Sequence, residues 1–378
     1  MTPTKFATFM ALASTVVSTT SPWPSQISLQ PVYTNGSIQV EHLSTAGNLD
    51  GLKMLTPAAR KSADFWYFDV FSASSNQTLN IVFFNSGEFA QYPHPLAVQV
   101  SGVYPNGTDF YFEAMADEGV VLSNGPDGIK GDWKGIGTFR GSALDKPDVE
   151  YEIVLDSAVM DVHGTVVFRA TAPAHYPCDL NGVVGANQNL LPSLYWAHAV
   201  PDANTIINLR VGDITMNFTD GIGYHDKNWG NKSIIDVPRY WDWGHGRLGP
   251  YSVVWYNLLD YSGAESRRSY VVEDGEVLLV SCDSDALVVR QKGGKAAWPP
   301  VTGLKETEGI SVNFTLPDNR TLAIDVTTEF IVRDEKSAYQ RANGLLKGGI
   351  VGGDMFEGRA HYEEFIYGIV NNITAPSA

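Results

Sequence analysis

Aromatic and ionisable side chains are concentrated in one window of the sequence, residues 221–250. This window holds three of the nine tryptophans and two of the eight histidines of the 378-residue chain. A purely structural strand would mostly show alternating β-branched residues instead. Aromatic walls with a few polar groups are typical of sites for apolar ligands such as terpenoids or polyketides. The window therefore predicts a binding site.

Asp226 is the residue of this window best suited to acid chemistry. A carboxyl group in an aromatic, partly desolvated pocket tends to keep its proton and can then protonate a departing hydroxyl or an alkene. We expect Asp226 to be the catalytic acid, with His225 or Tyr224 as its hydrogen-bonding partner.

Strand alternation divides residues 224–229 between two faces, because successive side chains of a strand point to opposite sides. One face carries Tyr224, Asp226 and Asn228, and the other carries His225, Lys227 and Trp229. Only one of these trios can face a substrate unless a bulge intervenes. We predict that the trio with Asp226 does so.

A second one-sided wall is predicted by Trp241, Trp243 and His245, which alternate in the same way. These three residues, together with Trp66 and the neighbours of Asp226, are expected to contact the substrate; the neighbours are Asn228, Lys227 and Trp229. A structural alternative stays open. In it, the glycines of the window allow tight packing around large rings, and the Asp and His side chains form hydrogen bonds within turns.

Neither a metal nor a cofactor is expected. His225 and His245 are far apart in sequence, and no His-X-His, Cys-X-X-Cys or His-Glu-X-X-His pattern accompanies them. The formal charge of −16 repels phosphate backbones and anionic membrane surfaces, so nucleic acid is excluded as a partner. The expected partner is a small apolar terpenoid or polyketide-derived substrate.

A second group of ionisable residues lies near the C-terminus, between residues 354 and 364. A solvated edge with salt bridges is the expected interpretation, and a second acid–base group is the alternative. The group consists of Asp354, Glu357, Arg359, His361, Glu363 and Glu364.

The N-terminus has the pattern of a secretory signal peptide over residues 1–20. Lys5 precedes an apolar stretch from Phe6 to Val17, and small residues follow. Eight Asn-X-Ser/Thr sequons, where chance placement would give roughly three, also favour the secretory pathway. We therefore predict an extracellular glycoprotein with acceptors at Asn35, Asn76, Asn106, Asn217, Asn231, Asn313, Asn319 and Asn372.

Cys178 and Cys282 are the only two cysteines of the chain. An even count in an oxidising compartment is compatible with one disulfide bond. Two buried, unpaired thiols are the alternative.

The distribution of strand-forming and turn-forming residues predicts a mainly β protein. Short runs rich in Val, Ile, Tyr, Phe and Thr recur between clusters of Gly, Pro, Asn and Asp. About 20 strands are too many for one small barrel, so we predict two antiparallel β-barrel domains of the lipocalin type, over residues 22–200 and 201–378. A pocket would lie inside one barrel or between the two.

The segment Gly223-Tyr224-His225-Asp226-Lys227-Asn228-Trp229-Gly230, followed by Trp241-Asp242-Trp243-Gly244, resembles the hydroxyneurosporene synthase or carotenoid 1,2-hydratase-like family. This resemblance implies a two-domain lipocalin-like fold and no cofactor. Family members include bacterial hydratases of isoprenoid double bonds and fungal secondary-metabolism dehydratases and hetero-Diels-Alderases of tropolone–sesquiterpene pathways. With its predicted leader and sequons, this chain is more similar to the fungal group.

The residues and the resemblance together predict a dehydratase and pericyclase. An acid would protonate a leaving hydroxyl, and the resulting quinone-methide-like diene would be held for cycloaddition with a terpenoid alkene. Two other functions stay open. One is a hydratase acting on an isoprenoid double bond, and the other is a secreted lipocalin-like carrier of apolar metabolites.

Overall fold

The computed structural model describes residues 24–87, 92–293, 296, 298–300, 308–335 and 338–366. The predicted signal peptide and the sequon at Asn372 lie outside these residues. Within them, no helix has both the length and the apolar character that a membrane crossing requires.

The first sheet is antiparallel and contains the thirteen strands of the N-terminal part of the described chain. Its strand order is β1-β6-β7-β8-β9-β10-β12-β13-β2-β3-β4-β5, with β11 paired to β12. The strands are β1 (Gln26–Leu29), β2 (Ala63–Ser72), β3 (Thr78–Ser86), β4 (Leu96–Val103), β5 (Asp109–Met115), β6 (Val120–Gly125), β7 (Gly128–Trp133), β8 (Gly137–Gly141), β9 (Glu150–Ser157), β10 (Val162–Ala170), β11 (Asn189–Leu191), β12 (Leu194–Val211) and β13 (Ile214–Gly230).

The second sheet is also antiparallel and follows a short 3-10 helix, Ile234–Asp236. Its nine strands have the order β17-β16-β15-β14-β22-β21-β20-β19-β18. They are β14 (Pro238–Leu248), β15 (Tyr251–Asp260), β16 (Glu265–Glu273), β17 (Glu276–Ser281), β18 (Leu287–Lys292), β19 (Gly309–Thr315), β20 (Thr321–Glu335), β21 (Tyr339–Ile350) and β22 (Phe356–Ile366).

The two sheets curl into half-barrels, and three apolar clusters fill the space that they create. In the second sheet β18 packs against β15 and β16, which brings distant edges of the sheet together. One cluster fills the first sheet, one fills the second, and the third lies between the sheets. The prediction of a mainly β, lipocalin-like antiparallel fold is confirmed.

Two kinds of burial explain how the sequence forms these strands. Strand β9 alternates buried and solvent-facing residues, as expected for a strand with one wet face. Strands β2 and β3 are buried on both faces, and apolar residues form the larger part of each. Two of the short runs rich in strand-forming residues, Leu96–Val103 and Glu276–Ser281, form β4 and β17.

The change from the first sheet to the second occurs between Gly230 and Pro238. Residue 200 lies within β12, which pairs with β13 along most of its length. The division into two β-barrel domains near residue 200 stays a prediction.

A disulfide bond joins Cys178 to Cys282. Cys178 lies in the connection between β10 and β11 of the first sheet, and Cys282 follows β17 of the second. The bond therefore links the two sheets covalently.

The segment 41–54 enters the first sheet and is part of its interior. Leu49 and Leu52 belong to the apolar cluster there. Lys53 is fully buried, and its ammonium group donates hydrogen bonds to Glu41 at 2.6 Å and to Gln188 at 2.9 Å. We call residues 41–54 the plug.

Candidate active site

A cavity of about 360 Å³ lies between the two sheets. This volume is within the range of small-molecule sites. The first sheet supplies one wall from β2, β3, β4, β5 and β13, and the second supplies the other from β14, β15, β20, β21 and β22. The lining is largely aromatic and includes Phe65, Tyr67, Phe84, Trp241, Trp243, Tyr256 and Phe365, with Asp226, Asn228, Arg341 and Glu363 among its polar members.

Asp226 lies on the cavity wall and is held by two strong donors. The indole N–H of Trp196 and the hydroxyl of Tyr224 both donate to Oδ2 at 2.7 Å. The Tyr224 oxygen in turn accepts the indole N–H of Trp243 at 3.1 Å, so its own proton must point at Asp226. Asn228 approaches the other carboxyl oxygen, Oδ1, at 3.3 Å.

The surroundings of Asp226 favour its protonated form at neutral pH. Burial raises the pKa of the carboxyl group to about 8, against the lowering effect of the hydrogen bonds from Trp196 and Tyr224, and the charges of Glu363 and Asp69 raise it further. Because Oδ2 accepts two short hydrogen bonds and Oδ1 only the longer one that Asn228 Nδ2 donates, the acid proton belongs on Oδ1. A buried carboxylic acid with its proton directed away from its own supports is suited to protonating a ligand.

The predicted alternation along β13 is present in the structure. Tyr224, Asp226 and Asn228 lie on the side of the sheet that faces the second sheet, where Asp226 and Asn228 line the cavity. The Tyr224 ring is packed behind them, 4.4 Å from the His198 ring and 4.5 Å from the His245 ring, as centroid distances.

His225 lies on the opposite side of β13 and does not reach the cavity. Its Nδ1–H donates to the carbonyl of Tyr67 at 2.8 Å, and its Nε2 lies 3.0 Å from Oδ2 of Asp50 in the plug. The ring stacks on Phe68 with a centroid distance of 3.8 Å. Of the two hydrogen-bonding partners expected for Asp226, Tyr224 makes the contact and His225 does not, because strand geometry sends neighbouring side chains to opposite faces.

Lys227, Trp229 and Trp66, expected to bind substrate, also lie inside the first sheet. Lys227 is paired with buried Asp64, and its ammonium group lies 3.2 Å above the centre of the Trp66 ring. The Trp229 indole donates to the carbonyl of Glu41 at 2.6 Å. Trp66 and Trp229 bind the plug, and none of the three side chains is part of the cavity wall.

Of the three residues of the predicted second wall, two lie on the cavity and one does not. Trp241 and Trp243 line the cavity. His245 lies deeper, with Nε2 2.8 Å from Oδ1 of Asp69. The glycine that follows Trp243 is required by packing, since a Cβ at Gly244 would lie 2.2 Å from the ring of Trp255.

Glu363 and Arg341 also line the cavity; the sequence pointed to Glu363 only as a member of the C-terminal ionisable group and did not point to Arg341. The Arg341 Nε–H donates to Glu363 Oε1 at 2.7 Å, and both side chains are more than nine-tenths buried. The expected solvated edge at residues 354–364 is thus wrong for Glu363 and for His361, which is fully buried. Arg359, His361 and Glu363 alternate along the strand, and this pattern could have indicated that they share one face. It could not indicate that this face is buried, because their partners come from strands that are distant in sequence.

A second buried carboxyl group, Asp242, has supports like those of Asp226 but faces the interior of the second sheet. Trp255 donates to its Oδ1 at 2.7 Å and Tyr240 donates to its Oδ2 at 3.2 Å. Burial raises the pKa of Asp242 to about 7. This carboxyl group is not on the cavity wall and offers a matched control for Asp226.

The described residues contain no group of three or more His, Cys, Asp or Glu side chains placed to hold a metal ion. Within the same residues, the polar atoms of the cavity are carboxyl, amide, hydroxyl, indole and guanidinium groups. Such groups can donate protons, form hydrogen bonds and stabilise charge.

A family model described as Diels-Alderase-like matches residues 30–289. The chain is 35% identical over 339 residues to the quinolone epoxide rearrangement protein asqO of Emericella nidulans, covering 88% of this chain and 91% of the relative. It is 34% identical over 349 residues to the quinolone epoxide rearrangement protein penF of Penicillium thymicola, covering 90% and 95%. A shorter match of 119 residues at 29% identity relates it to the Diels-Alderase poxQ of Penicillium oxalicum, covering 31% and 26%.

Among solved structures, the crystal structure of CghA with Sch210972 superposes with a TM-score of 0.76. The match covers 92% of this chain and 99% of CghA, at 14% sequence identity. At that identity the similarity shows a common fold alone.

Proposed function

Because this chain belongs to the Diels-Alderase-like family, we propose that it is a secondary-metabolite tailoring enzyme that starts its reaction by acid catalysis at Asp226. Its substrate is an apolar, ring-containing molecule held between the aromatic walls of the cavity. The observation that carries the proposal is a buried carboxylic acid on the cavity wall with a pKa raised to about 8. This acid stays protonated at neutral pH and acts on an oxygen of the substrate.

We propose the rearrangement of an epoxide as the reaction, since two relatives that cover most of the chain are quinolone epoxide rearrangement proteins. Asp226 donates its proton to the epoxide oxygen, and one C–O bond breaks to leave a carbocation. Migration of a hydrogen or carbon substituent then gives a protonated carbonyl, which returns the proton to the Asp226 carboxylate. The product is an isomer of the substrate, and the step needs no further reactant.

Aromatic rings on several sides of the cavity support a cationic intermediate. Trp241, Trp243 and Tyr256 line the cavity from the second sheet and Tyr67 from the first. Indole and phenol ring faces attract cations, typically by 0.5 to 2 kcal/mol for each well-placed ring. The same walls exclude water, which would otherwise capture the cation.

Dehydration followed by cycloaddition is the second candidate. It begins with the same proton transfer, now to a hydroxyl group that leaves as water, and the family description favours it. The substrate loses a second proton to the Asp226 carboxylate, and the resulting diene closes with an alkene held beside it. The resemblance to carotenoid 1,2-hydratases is compatible with this candidate, since hydration is the reverse of dehydration and uses the same acid catalysis.

Mass spectrometry after incubation with quinolone epoxides and with hydroxylated analogues distinguishes the candidates. Rearrangement leaves the mass of the substrate unchanged but alters its retention time, dehydration lowers the mass by one water, and hydration raises it by one water. Recovery of every compound unaltered would favour the carrier and contradict the enzyme.

Asp226→Asn is the decisive variant, and Asp242→Asn is its matched control. The amide at position 226 keeps an acceptor for Trp196 and Tyr224 but has no acid proton. We expect turnover to fall by roughly 10²- to 10⁴-fold. The control removes an equally buried carboxyl group that faces away from the cavity and should keep turnover within about twofold of the wild type. Equal activity of Asp226→Asn and the wild type would remove Asp226 from the mechanism.

We also propose that the chain passes through the secretory pathway. The disulfide bond supports this, because such bonds persist in oxidising compartments. Accessible acceptors also support it: five sequon asparagines are exposed, namely Asn35, Asn106, Asn217, Asn231 and Asn319, and Asn76 and Asn313 are half-buried. Treatment of the protein from a fungal host with an N-glycosidase should increase its electrophoretic mobility; an unchanged band would contradict the proposal.

A further inference from the structure

The Arg341–Glu363 pair uses only part of its hydrogen-bonding capacity. Glu363 Oε1 accepts the Arg341 Nε–H at 2.7 Å and the Tyr339 hydroxyl at 3.1 Å. Arg341 Nη2 lies 2.7 Å from the same oxygen. In the described part of the chain, Glu363 Oε2 and Arg341 Nη1 make no hydrogen bond.

The two unused atoms face open space. Neither belongs to the buried side-chain atoms that lack a partner, and both residues line the cavity. The cavity wall therefore presents an unused acceptor, Glu363 Oε2, and an unused donor, Arg341 Nη1, on two ion-paired side chains. An acceptor and a donor on one ion pair match a ligand edge that carries a donor and an acceptor in the opposite order.

The orientation of Glu363 is fixed by a chain of hydrogen bonds through both sheets. Asn343 Oδ1 lies 2.7 Å from His361 Nδ1, and His361 Nε2 lies 3.2 Å from Asn80 Nδ2. Asn80 Nδ2 also donates to the Tyr67 hydroxyl at 2.7 Å. The Tyr67 proton therefore points away from Asn80, toward Glu363 Oε1 at 3.5 Å.

A neutral His361 fits this direction of donors. If Nδ1–H donates to Asn343, Nε2 has a lone pair for Asn80. Burial lowers the pKa of His361 to about 3, so the ring stays neutral across the physiological range. The chain thus holds Oε1 of Glu363 against its donors and leaves Oε2 to the cavity.

We propose that Glu363 and Arg341 recognise a cis-amide edge of the substrate, such as that of a lactam ring, with the substrate N–H on Glu363 Oε2 and its carbonyl oxygen on Arg341 Nη1. The inference rests on the proposed function, since it assigns the group by which the same cavity orients its substrate toward Asp226. Glu363 and Arg341 are specificity-determining residues in this scheme, and Asp226 remains the acid.

Two lactams that differ in one hydrogen-bond donor provide the test. Quinolin-2(1H)-one has adjacent N–H and C=O groups, whereas its N-methyl derivative has lost the donor. We expect the wild-type protein to bind the first at least about tenfold more tightly in a calorimetric titration, a factor that corresponds to about 1.4 kcal/mol. Equal affinities for the two lactams would overturn the inference without any variant.

Glu363→Gln should abolish this preference, because an amide N–H2 replaces the free acceptor and opposes the ligand N–H. The matched control is Glu364→Gln, since the next residue of β22 points to the other face of its sheet. The control should keep the tenfold preference. Persistence of the preference in Glu363→Gln would contradict the assignment.

Removal of Glu363 alone leaves the Arg341 charge buried and unpaired, which is destabilising. The double variant Arg341→Met with Glu363→Gln removes both charges and should bind the two lactams equally. Asp226→Asn should lose turnover and keep the lactam preference. Failure of the acid mechanism and failure of lactam recognition therefore give different results.

Discussion

The carboxyl group of Asp226 keeps its proton near neutral pH because burial raises its pKa, and the hydrogen bond from the indole of Trp196 reduces this rise. Desolvation penalises the carboxylate and raises its pKa, while each N–H or O–H donated to the group favours the carboxylate and lowers it. Because the hydrogen bonds come from particular side chains, substitution of one donor can change the pKa of Asp226 while the carboxyl group stays buried.

The pH dependence of turnover should follow the protonation of Asp226. We expect kcat/KM to be level below pH 8 and to fall above it, because only the protonated group donates. Trp196→Phe removes a donor to the carboxylate, so the pKa rises further and the falling limb should move to higher pH. Trp255→Phe, which removes the equivalent donor from Asp242, should leave the limb in place. A shift to lower pH in Trp196→Phe would contradict this account.

The same protonation has a consequence for stability. The folded pKa of about 8 lies above the unfolded value of about 4, so the folded state binds the extra proton between these pH values and loses stability as pH rises through them. Asp226→Asn removes this loss. In urea unfolding, the variant should gain stability relative to the wild type from pH 5 to pH 9, by several kcal/mol in total. A constant difference across this range would show that Asp226 is ionised when folded.

Strand β13 combines two tasks on its two faces. Its even-numbered residues 224, 226 and 228 contribute to the cavity side. On the other side, His225 and Trp229 bind the plug and Lys227 pairs with Asp64 of β2. Both sets are buried, so neither face shows the solvent exposure that would distinguish them in the sequence. Alternation alone can separate the sets, but it cannot assign their roles.

The plug face should be important for folding and unimportant for ligand recognition. Lys227→Met leaves Asp64 buried without its cation and should cost about 3 to 5 kcal/mol in the free energy of unfolding. Replacing both partners, as in Lys227→Met with Asp64→Leu, should recover most of that loss. The folded fraction of either variant should bind quinolin-2(1H)-one as the wild type does. A loss of binding at unchanged stability would place Lys227 in the site.

Sequence patterns were sufficient for the mainly β fold and for the division of β13 into two faces, because both depend on local periodicity. The Arg341–Glu363 pair was not predictable in this way. It becomes part of the same cavity as Asp226 only because β14, β21 and β22 pack over β2 and β13. Likewise, Lys227 and Trp229 were assigned to the substrate because the sequence does not show that residues 41–54 fold into the first sheet.

At the scale of the whole molecule, the cavity depends on the two sheets staying together. Their contact consists of the third apolar cluster, ion pairs and hydrogen bonds between the sheets, and the Cys178–Cys282 bond. An example is Arg247 of β14, whose Nε donates to Asp202 at 2.7 Å. The acid comes from the first sheet and the predicted lactam contacts come from the second, so separation of the sheets would divide the site.

Replacement of both cysteines by serine should therefore weaken the fold and the site together. The bond spans 104 residues, for which the chain-entropy model gives about 4 to 5 kcal/mol. We expect the urea midpoint of Cys178→Ser with Cys282→Ser to fall accordingly, and the wild type treated with a reductant to behave in the same way. An unchanged midpoint would mean that the non-covalent contacts alone hold the sheets together.

The two faces of β13 also affect how the protein can evolve. A substitution at position 226 or 228 should change the chemistry offered to a ligand and leave the plug contacts in place. A substitution at 225, 227 or 229 should affect the fold without altering the proposed reaction. New activities can therefore arise by change at every second position of one short segment, while the positions between them preserve the scaffold.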